Sequence, residues 1–146
     1  MDSEKPVPEP RDQLFRDPLD NPGLFTFNES VAEVFPNMID RSVPGYNTVI
    51  ALTGTLAAQH TREGSNIYDL GCSWGASLLS VARQKNCRYC KLIGIDNSEA
   101  MLSRAHVHLM QYREGELIQL RCEDIIEAPI ENASVVVMNY TLQFIP

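Results

Sequence analysis

Two different spacings of apolar residues divide this chain. Over the first half, apolar side chains return every three to four positions, which is the period of a helix with one buried face. Two helices are predicted there, the first over 28–41 and the second starting within 42–45 and ending before Gly64. Pro36 lies inside the first helix and is expected to kink or split it, because proline lacks a backbone N–H.

Beyond Ile67, short apolar runs alternate with helical patterns. Strands are predicted over 67–70, 91–96, 117–122 and 133–139, and helices over 75–85 and after a Ser98 cap. Strands separated by helices indicate βαβ units and a parallel sheet, hence an α/β fold. The last strand contains the continuous apolar run 135–138, which predicts burial on both of its faces.

The composition excludes several classes of function. Residues 1–27 contain five prolines and nine charged side chains, which predicts a flexible arm ahead of one domain over 28–146. The net charge of −7 argues against direct nucleic-acid binding, since such surfaces cluster Lys and Arg. No apolar run reaches the ~18 residues of a membrane helix, and no signal peptide is recognisable. A cytoplasmic protein without membrane contact is therefore expected.

Four cysteines raise the question of metal or redox chemistry. Cys87 and Cys90 form a CxxC pair, but Cys72 and Cys122 do not form the second pair that a zinc site needs. A redox CxxC usually opens a helix, whereas this one precedes a predicted strand. Free thiols are the expectation, and no metal ligand is assigned.

The loop after the first strand, Gly71-Cys72-Ser73-Trp74-Gly75, supports two interpretations. As G-x-S-x-G it fits the nucleophile elbow of a serine hydrolase, with Asp96 and His106 following in the order of a catalytic triad. His106, however, is predicted to lie roughly 12 Å along a helix that begins near Asp96. The helix histidines are better explained as solvated side chains, and no catalytic residue is assigned.

As a strand–loop–helix turn, the same segment fits a cradle for a nucleotide-like cofactor. Asp96 ends the second strand, 25 residues after Gly71, where an acidic residue accepts hydrogen bonds from ribose hydroxyls. Asp124 follows the third strand and Asn139 ends the fourth. An NAD site is the alternative, but Ser73 replaces a glycine and would crowd a pyrophosphate, which S-adenosyl-L-methionine lacks.

Five segments extend this interpretation to a known family: VAEVFPNMIDRSVPGY, YDLGCSWGASLLSVAR, IGIDNSEAML, CEDI and ENASVVVMNYTLQFIP. Over about 27–146 the chain resembles the carboxy-S-adenosyl-L-methionine synthases, which have a Rossmann-like class I methyltransferase fold. The resemblance implies a mostly parallel sheet truncated after the fourth strand, with order 3-2-1-4 and the fourth strand exposed. That family continues past the position of Pro146, where it carries an arginine for an extra carboxylate, so a fragment or a short form is expected.

The resemblance also implies a reaction. The family converts S-adenosyl-L-methionine and prephenate to carboxy-S-adenosyl-L-methionine and phenylpyruvate, and the product serves wobble-uridine modification in tRNA. A homodimer is implied for the full-length protein. An ordinary S-adenosyl-L-methionine-dependent methyltransferase and an inactive remnant of such an enzyme remain as alternatives.

Nine positions correspond to the family's ligands for S-adenosyl-L-methionine or its carboxylated product. The resemblance places Tyr46 over the cofactor, and Gly71, Cys72 and Ser73 around its methionine part. It places Asp96 and Asn97 at the ribose, Asp124 and Ile125 at the adenine, and Asn139 near the sulfonium. Trp74 is bulky for a position that is expected to vary.

Overall fold

The computed structural model describes residues 26–146, so nearly all of the predicted arm over 1–27 lies outside the described residues. Its α-helices are α1 (Glu29–Ser42), α2 (Tyr46–His60), α3 (Ala76–Ala82) and α4 (Glu99–Leu109). Its strands are β1 (Asn66–Leu70), β2 (Lys91–Asp96), β3 (Ile118–Cys122) and β4 (Ala133–Val137). Short 3₁₀ turns span Lys85–Tyr89, Arg113–Leu117 and Leu142–Phe144. No helix within residues 26–146 is both long enough and apolar enough to cross a membrane.

The strands form one parallel sheet in the order β3-β2-β1-β4. Tyr68 of β1 lies opposite Ile93 of β2 on one side and Val136 of β4 on the other. The predicted α/β class, parallel pairing and strand order are confirmed. Because all strands run in one direction, their carboxyl ends share one edge of the sheet, where the loops that follow them meet.

The two faces of the sheet are covered differently. Helices α2, α3 and α4 pack on one face, against Ile67 and Leu92. The opposite face carries Ile93, and loop residues such as Ala128 cover it. Val136 remains 48% exposed, so the predicted burial of β4 on both faces is wrong for the described chain. The reason is that the helices α2–α4 all lie on the other face, while the loop covers only the centre of the sheet.

Two elements end earlier than the sequence predicts. Helix α3 stops at Ala82 rather than at 85, and a 3₁₀ turn that buries Cys87 follows it. Strand β4 stops at Val137 rather than at 139. Asn139 lies beyond the end of the strand, and its side-chain amide donates to Thr53 of α2 and Ser77 of α3.

Helix α1 runs without a break through Pro36. The split that the sequence allowed is therefore wrong, whereas the alternative, a kink at Pro36, stays a prediction. Proline has no N–H, and the carbonyl four residues earlier, that of Ala32, therefore has no i+4 donor in the helix. The indole Nε1–H of Trp74 donates to this carbonyl at 2.9 Å. A side chain from a distant loop thus satisfies the group that the proline leaves unpaired, and the helix continues to Ser42.

Candidate functional site

One cavity of about 570 Å³ lies at the carboxyl ends of the strands. Its wall is formed by the loops after the four strands together with side chains from α1 and α2. All nine residues that the resemblance implicates lie in this wall: Tyr46, Gly71, Cys72, Ser73, Asp96, Asn97, Asp124, Ile125 and Asn139. The structure therefore brings the predicted set together in one place, although the individual roles toward a ligand stay predictions.

The loop after β1 is held tightly against its neighbours. Gly71 has a φ of 78°, and a Cβ there would lie 2.5 Å from the hydroxyl of Thr141, so glycine is required on both counts. The backbone N–H groups of Gly71 and Cys72 both donate to the carbonyl of Ile95, at 2.8 and 3.1 Å. Ser73 also has a positive φ, of 50°. Such a conformation is costly for a residue with a side chain and persists where the surroundings hold it.

Asp96 is the residue that holds this conformation. Its carboxylate is buried and accepts the backbone N–H of Ser73 at one oxygen and that of Ser98 at the other, both at 3.0 Å. Burial raises the pKa of Asp96, while the backbone donors of Ser98, Ser73 and Asn97 act in the opposite direction. Each carboxylate oxygen offers two lone pairs, so acceptor capacity remains for a ligand. Asp96 thus has a structural role that its predicted role at a ribose did not include.

Asp69 is a site residue that sequence reasoning missed. It lies in β1 just before the loop, is 3% exposed, and lines the cavity. Burial, and then the charge of Asp96, raise the pKa of Asp69 to about 7, and no hydrogen bond from the described residues offsets them. The signal was its position directly ahead of Leu70-Gly71, where the strand ends and the loop begins. The sequence pattern includes Asp69 in the strand-to-loop turn that predicts a cofactor cradle, but assigns it no ligand role.

Cys72 also faces acidic surroundings. Its side chain is buried, and burial, Asp69 and Asp96 together raise the pKa of the thiol far above its usual value. A thiol held in the protonated form is a poor nucleophile. Cys72 therefore contributes its backbone and its volume to the loop, and no covalent role.

The turn after β4 forms the part of the cavity wall beside the β1 loop. Asn139 donates both side-chain hydrogens, to Thr53 at 2.9 Å and to Ser77 at 3.3 Å. Thr141 donates its hydroxyl to the carbonyl of Leu70 at 2.9 Å. Between these two anchors, Tyr140 is held at a φ of 57°, which is strained for an aromatic residue.

Two tyrosine rings lie side by side on this wall. The ring of Tyr140 packs against that of Tyr46, with 5.9 Å between the centroids. Burial raises the pKa of Tyr46 to about 12, with Asp69 and Tyr140 as smaller causes. The phenol of Tyr46 therefore lies near the buried carboxylate of Asp69, and it remains protonated at neutral pH.

The remaining predicted residues lie near the mouth of the cavity. Asp124 is exposed, and one of its oxygens accepts the backbone N–H of Ile126 at 2.9 Å, which orders the turn after β3. Ile125 is half-buried against the face of the sheet that carries Tyr68. Asn97 is exposed beside Asp96.

The arrangement that a serine hydrolase needs is not formed. No histidine lies among the described residues that line the cavity with Ser73. His106 is exposed on α4 and borders a separate shallow depression with Glu99 and Cys122. The rejection of a Ser–Asp–His triad thus agrees with the structure.

The cysteines form no metal-ligand cluster within the described part of the chain. All four are free, and within residues 26–146 no group of three or more His, Cys, Asp or Glu side chains is placed to hold a metal ion. The thiol of Cys90 instead lies 3.0 Å from the hydroxyl of Thr61 and donates to the carbonyl of Arg62 at 3.3 Å. The free-thiol interpretation stays a prediction, and the contacts of Cys90 are compatible with it.

Comparison with known proteins agrees with this architecture. A family model described as a methyltransferase domain matches residues 67–146, which is more than half of the chain. The chain belongs to this methyltransferase-domain family. The match begins at β1 and includes the loop, Asp96 and the turn after β4, so it covers most of the cavity wall.

Curated relatives of this family member are similar over nearly all of the chain. The carboxy-S-adenosyl-L-methionine synthase of Vibrio cholerae is 52% identical over 136 residues, and that of Haemophilus ducreyi is 48% identical over 136 residues. Both alignments cover 93% of this chain, and the predicted resemblance is confirmed. The chain spans 55–56% of the length of these curated relatives.

Solved structures of lower identity share the fold. A Methanococcus maripaludis protein assigned as an S-adenosyl-L-methionine-dependent methyltransferase has a TM-score of 0.67 at 19% identity, covering 86% of this chain and 56% of that one. The CcbJ methyltransferase of Streptomyces caelestis has a TM-score of 0.52 at 20% identity, covering 68% and 39%. At these identities the likeness shows the fold alone. It confirms the Rossmann-like class I fold of the methyltransferase-domain family.

Proposed function

We propose that the cavity binds S-adenosyl-L-methionine. The observation that carries this proposal is the charge of the wall. Among the described residues that line the cavity, four are acidic (Asp69, Asp96, Glu123 and Asp124) and none is Lys, Arg or His. S-adenosyl-L-methionine carries a sulfonium and an ammonium, which such a wall attracts. The pyrophosphate of NAD is an anion, and the same wall repels it.

The size and shape of the cavity support the same ligand. A volume of about 570 Å³ falls within the ~300–1,000 Å³ range of small-molecule sites. The β1 loop exposes backbone next to Gly71, where a ligand can approach closely. The proposed assignment is that Gly71, Cys72 and Ser73 surround the methionine part, and that Asp96 and Asn97 lie at the ribose.

The other end of the ligand is assigned in the same way. Asp124 and Ile125, in the turn after β3, are proposed to lie at the adenine. Tyr46 and Asn139 lie near the sulfonium, next to Tyr140. The carboxylate of Asp69 stands beside Tyr46, so this end of the cavity combines a negative charge with two aromatic rings. Both features stabilise an organic cation.

We further propose that the chain takes part in the reaction of its curated relatives, which are named carboxy-S-adenosyl-L-methionine synthases. Prephenate would become aromatic by losing carbon dioxide together with its ring hydroxyl group, which leaves as hydroxide. The hydroxide would take a proton from the methyl group beside the sulfonium, and that carbon would bond to the carbon dioxide before it escapes, with water as the by-product. The protein has to position the two partners and exclude water, and needs no acid–base dyad. A homodimer, a cytoplasmic location and a role in tRNA wobble-uridine modification are proposed on the same similarity.

The described residues account for the cofactor better than for prephenate. Prephenate is a dicarboxylate, and the described wall offers it no cationic side chain. An ordinary methyltransferase remains the second candidate, because the matching family model is described as a methyltransferase domain and no more. The prephenate step therefore rests on similarity to the curated relatives.

Two measurements separate these proposals. Calorimetric titration should show tighter binding of S-adenosyl-L-methionine than of S-adenosylhomocysteine, which lacks the sulfonium charge, and no binding of NAD. Stronger binding of NAD than of S-adenosyl-L-methionine would refute the cofactor assignment. Mass spectrometry of the ligand that co-purifies, combined with an assay of phenylpyruvate formation from prephenate, tests the synthase. If the co-purified ligand lacks the added carboxyl group and no phenylpyruvate forms, the synthase proposal is refuted. An ordinary methyltransferase and an inactive remnant are then the two remaining candidates.

A further inference from the structure

The side chain of Trp74 connects the candidate site to helix α1. Trp74 is the one tryptophan of the chain and lies in the β1 loop, directly after Ser73. Its Nε1–H donates to the carbonyl of Ala32 at 2.9 Å. Ala32 is fully buried, and Pro36 leaves its carbonyl without the usual helical donor. The bond therefore satisfies a buried acceptor that would otherwise be unpaired.

The indole ring is packed as well as hydrogen-bonded. It lies against the cluster of Val31, Phe35 and Met101, which joins α1 to α4. The ring also packs against the tilted ring of His108 of α4, with 5.3 Å between the centroids and 49° between the planes. One side chain from the loop is thus inserted between two helices.

This insertion bears on the cavity because α1 forms part of its wall. Phe35, Met38 and Ile39 of α1 all line the cavity. The backbone N–H of Ser73, one residue before Trp74, donates to the carboxylate of Asp96. The loop is consequently held by Asp96 on one side and by α1 on the other.

We propose that Trp74 is a positioning residue that fastens α1 to the loop of the site, so that the α1 wall and the loop become ordered together when ligand binds. This role explains the bulky residue at position 74, because its Nε1–H bonds the buried carbonyl of Ala32 that Pro36 leaves without a helical donor. The proposal rests on the proposed function in one respect, that S-adenosyl-L-methionine is the ligand used as probe.

The test uses Trp74→Phe, Pro36→Ala and the double variant. Trp74→Phe keeps an aromatic ring and removes the donor, so the unfolding equilibrium constant should rise by about tenfold. Pro36→Ala returns a backbone N–H to the helix, which can bond the carbonyl of Ala32 itself. The double variant should therefore regain most of the stability that Trp74→Phe loses. It should not regain the connection between α1 and the loop.

Two readouts report that connection. In the wild type, S-adenosyl-L-methionine should slow hydrogen exchange of the α1 amides over 29–42, and in the double variant this slowing should be lost. Affinity for S-adenosyl-L-methionine in the double variant should be about fivefold or more below that of the wild type. Asn47→Ala is the matched control, because it removes the bond from Asn47 to Asp40, which joins α2 to α1 and does not involve the loop. It should leave both readouts unchanged.

The outcomes distinguish the possibilities. If the double variant regains affinity and ligand-dependent protection together with stability, Trp74 only satisfies a helix carbonyl and the inference is overturned. Unchanged exchange and affinity in Trp74→Phe would overturn it as well. If the wild type does not bind S-adenosyl-L-methionine, the proposed function fails, and ligand coupling through Trp74 fails with it.

Discussion

Replacement of Asp69 by asparagine should make the protein more stable and less able to bind its ligand. Asp69 is a 3% exposed carboxyl group without a hydrogen bond from the described residues, and its pKa is raised from 3.8 to about 7. Asparagine has nearly the same shape and no charge. The substitution therefore removes the cost of a buried ionised group and leaves the packing almost unchanged.

The sign and size of the effect follow from the pKa. Because the folded state holds the Asp69 proton more tightly than the unfolded state, wild-type stability falls as pH rises from about 4 to about 7, and levels off above that. The difference of about three pH units corresponds to at most about 4 kcal/mol, at 1.36 kcal/mol per unit. The Asp69→Asn variant lacks this loss, so its advantage in unfolding free energy should grow with pH. About half of it should develop between about pH 5.5 and pH 8.

Urea unfolding followed by the fluorescence of Trp74, the one tryptophan, measures this difference. The exposed carboxylate of Asp40 supplies the control, since Asp40→Asn should change stability little at any pH. Calorimetry at pH 8 should show weaker binding of S-adenosyl-L-methionine by Asp69→Asn, because a charge that faces the cationic ligand is gone. A stability difference that does not depend on pH, or a variant less stable than wild type at pH 8, would refute the reasoning.

Further substitutions at three positions probe the loop and the turn. Asp96→Ala should lower the free energy of unfolding by about 2 kcal/mol as well as the cofactor affinity, since two backbone N–H groups lose their acceptor; an unchanged urea midpoint would show that these bonds contribute nothing. Ser73→Ala should change cofactor affinity little, and a folded, cofactor-binding variant without any activity would restore the hydrolase hypothesis. Tyr140→Gly should be more stable than Tyr140→Ala by about 1 kcal/mol in thermal unfolding, because only glycine adopts a φ of 57° freely; equal stability of the two would mean that the strain is not real.

The expected consequence of removing Asp96 shows where sequence reasoning stopped. From its place at the end of β2, Asp96 was predicted to bind a ribose, and no structural role was assigned to it. The structure shows the same carboxylate holding Ser73 and Ser98. Ser73 and Asp96 are brought together by the parallel pairing of β1 and β2. The hydrogen bond between them therefore cannot be predicted from a local sequence pattern.

The burial of the Asp69 carboxyl group also could not be predicted from the sequence. Asp69 looks like any acidic residue at a strand end, and its raised pKa arises from burial and from Asp96 across the sheet. The exposure of Val136 also depends on tertiary structure, because it reflects which elements pack against β4. An apolar strand is buried on both faces only if other elements cover both, and in the described chain one face of β4 is left open.

The sequence by itself determined the alternation of strands and helices, the parallel sheet, the glycine turn after β1 and the position of the cofactor loop. These depend on periodicity and on residue types within short windows, which the chain carries locally. Only the tertiary structure decided how the site is held together. Pro36 was expected to kink or split α1, yet the helix is not split. Trp74, 38 residues further along the chain, donates to the carbonyl that Pro36 leaves without a helical donor. Hydrogen bonds between residues so far apart depend on where the fold places them, and that placement is the one thing a local pattern does not contain.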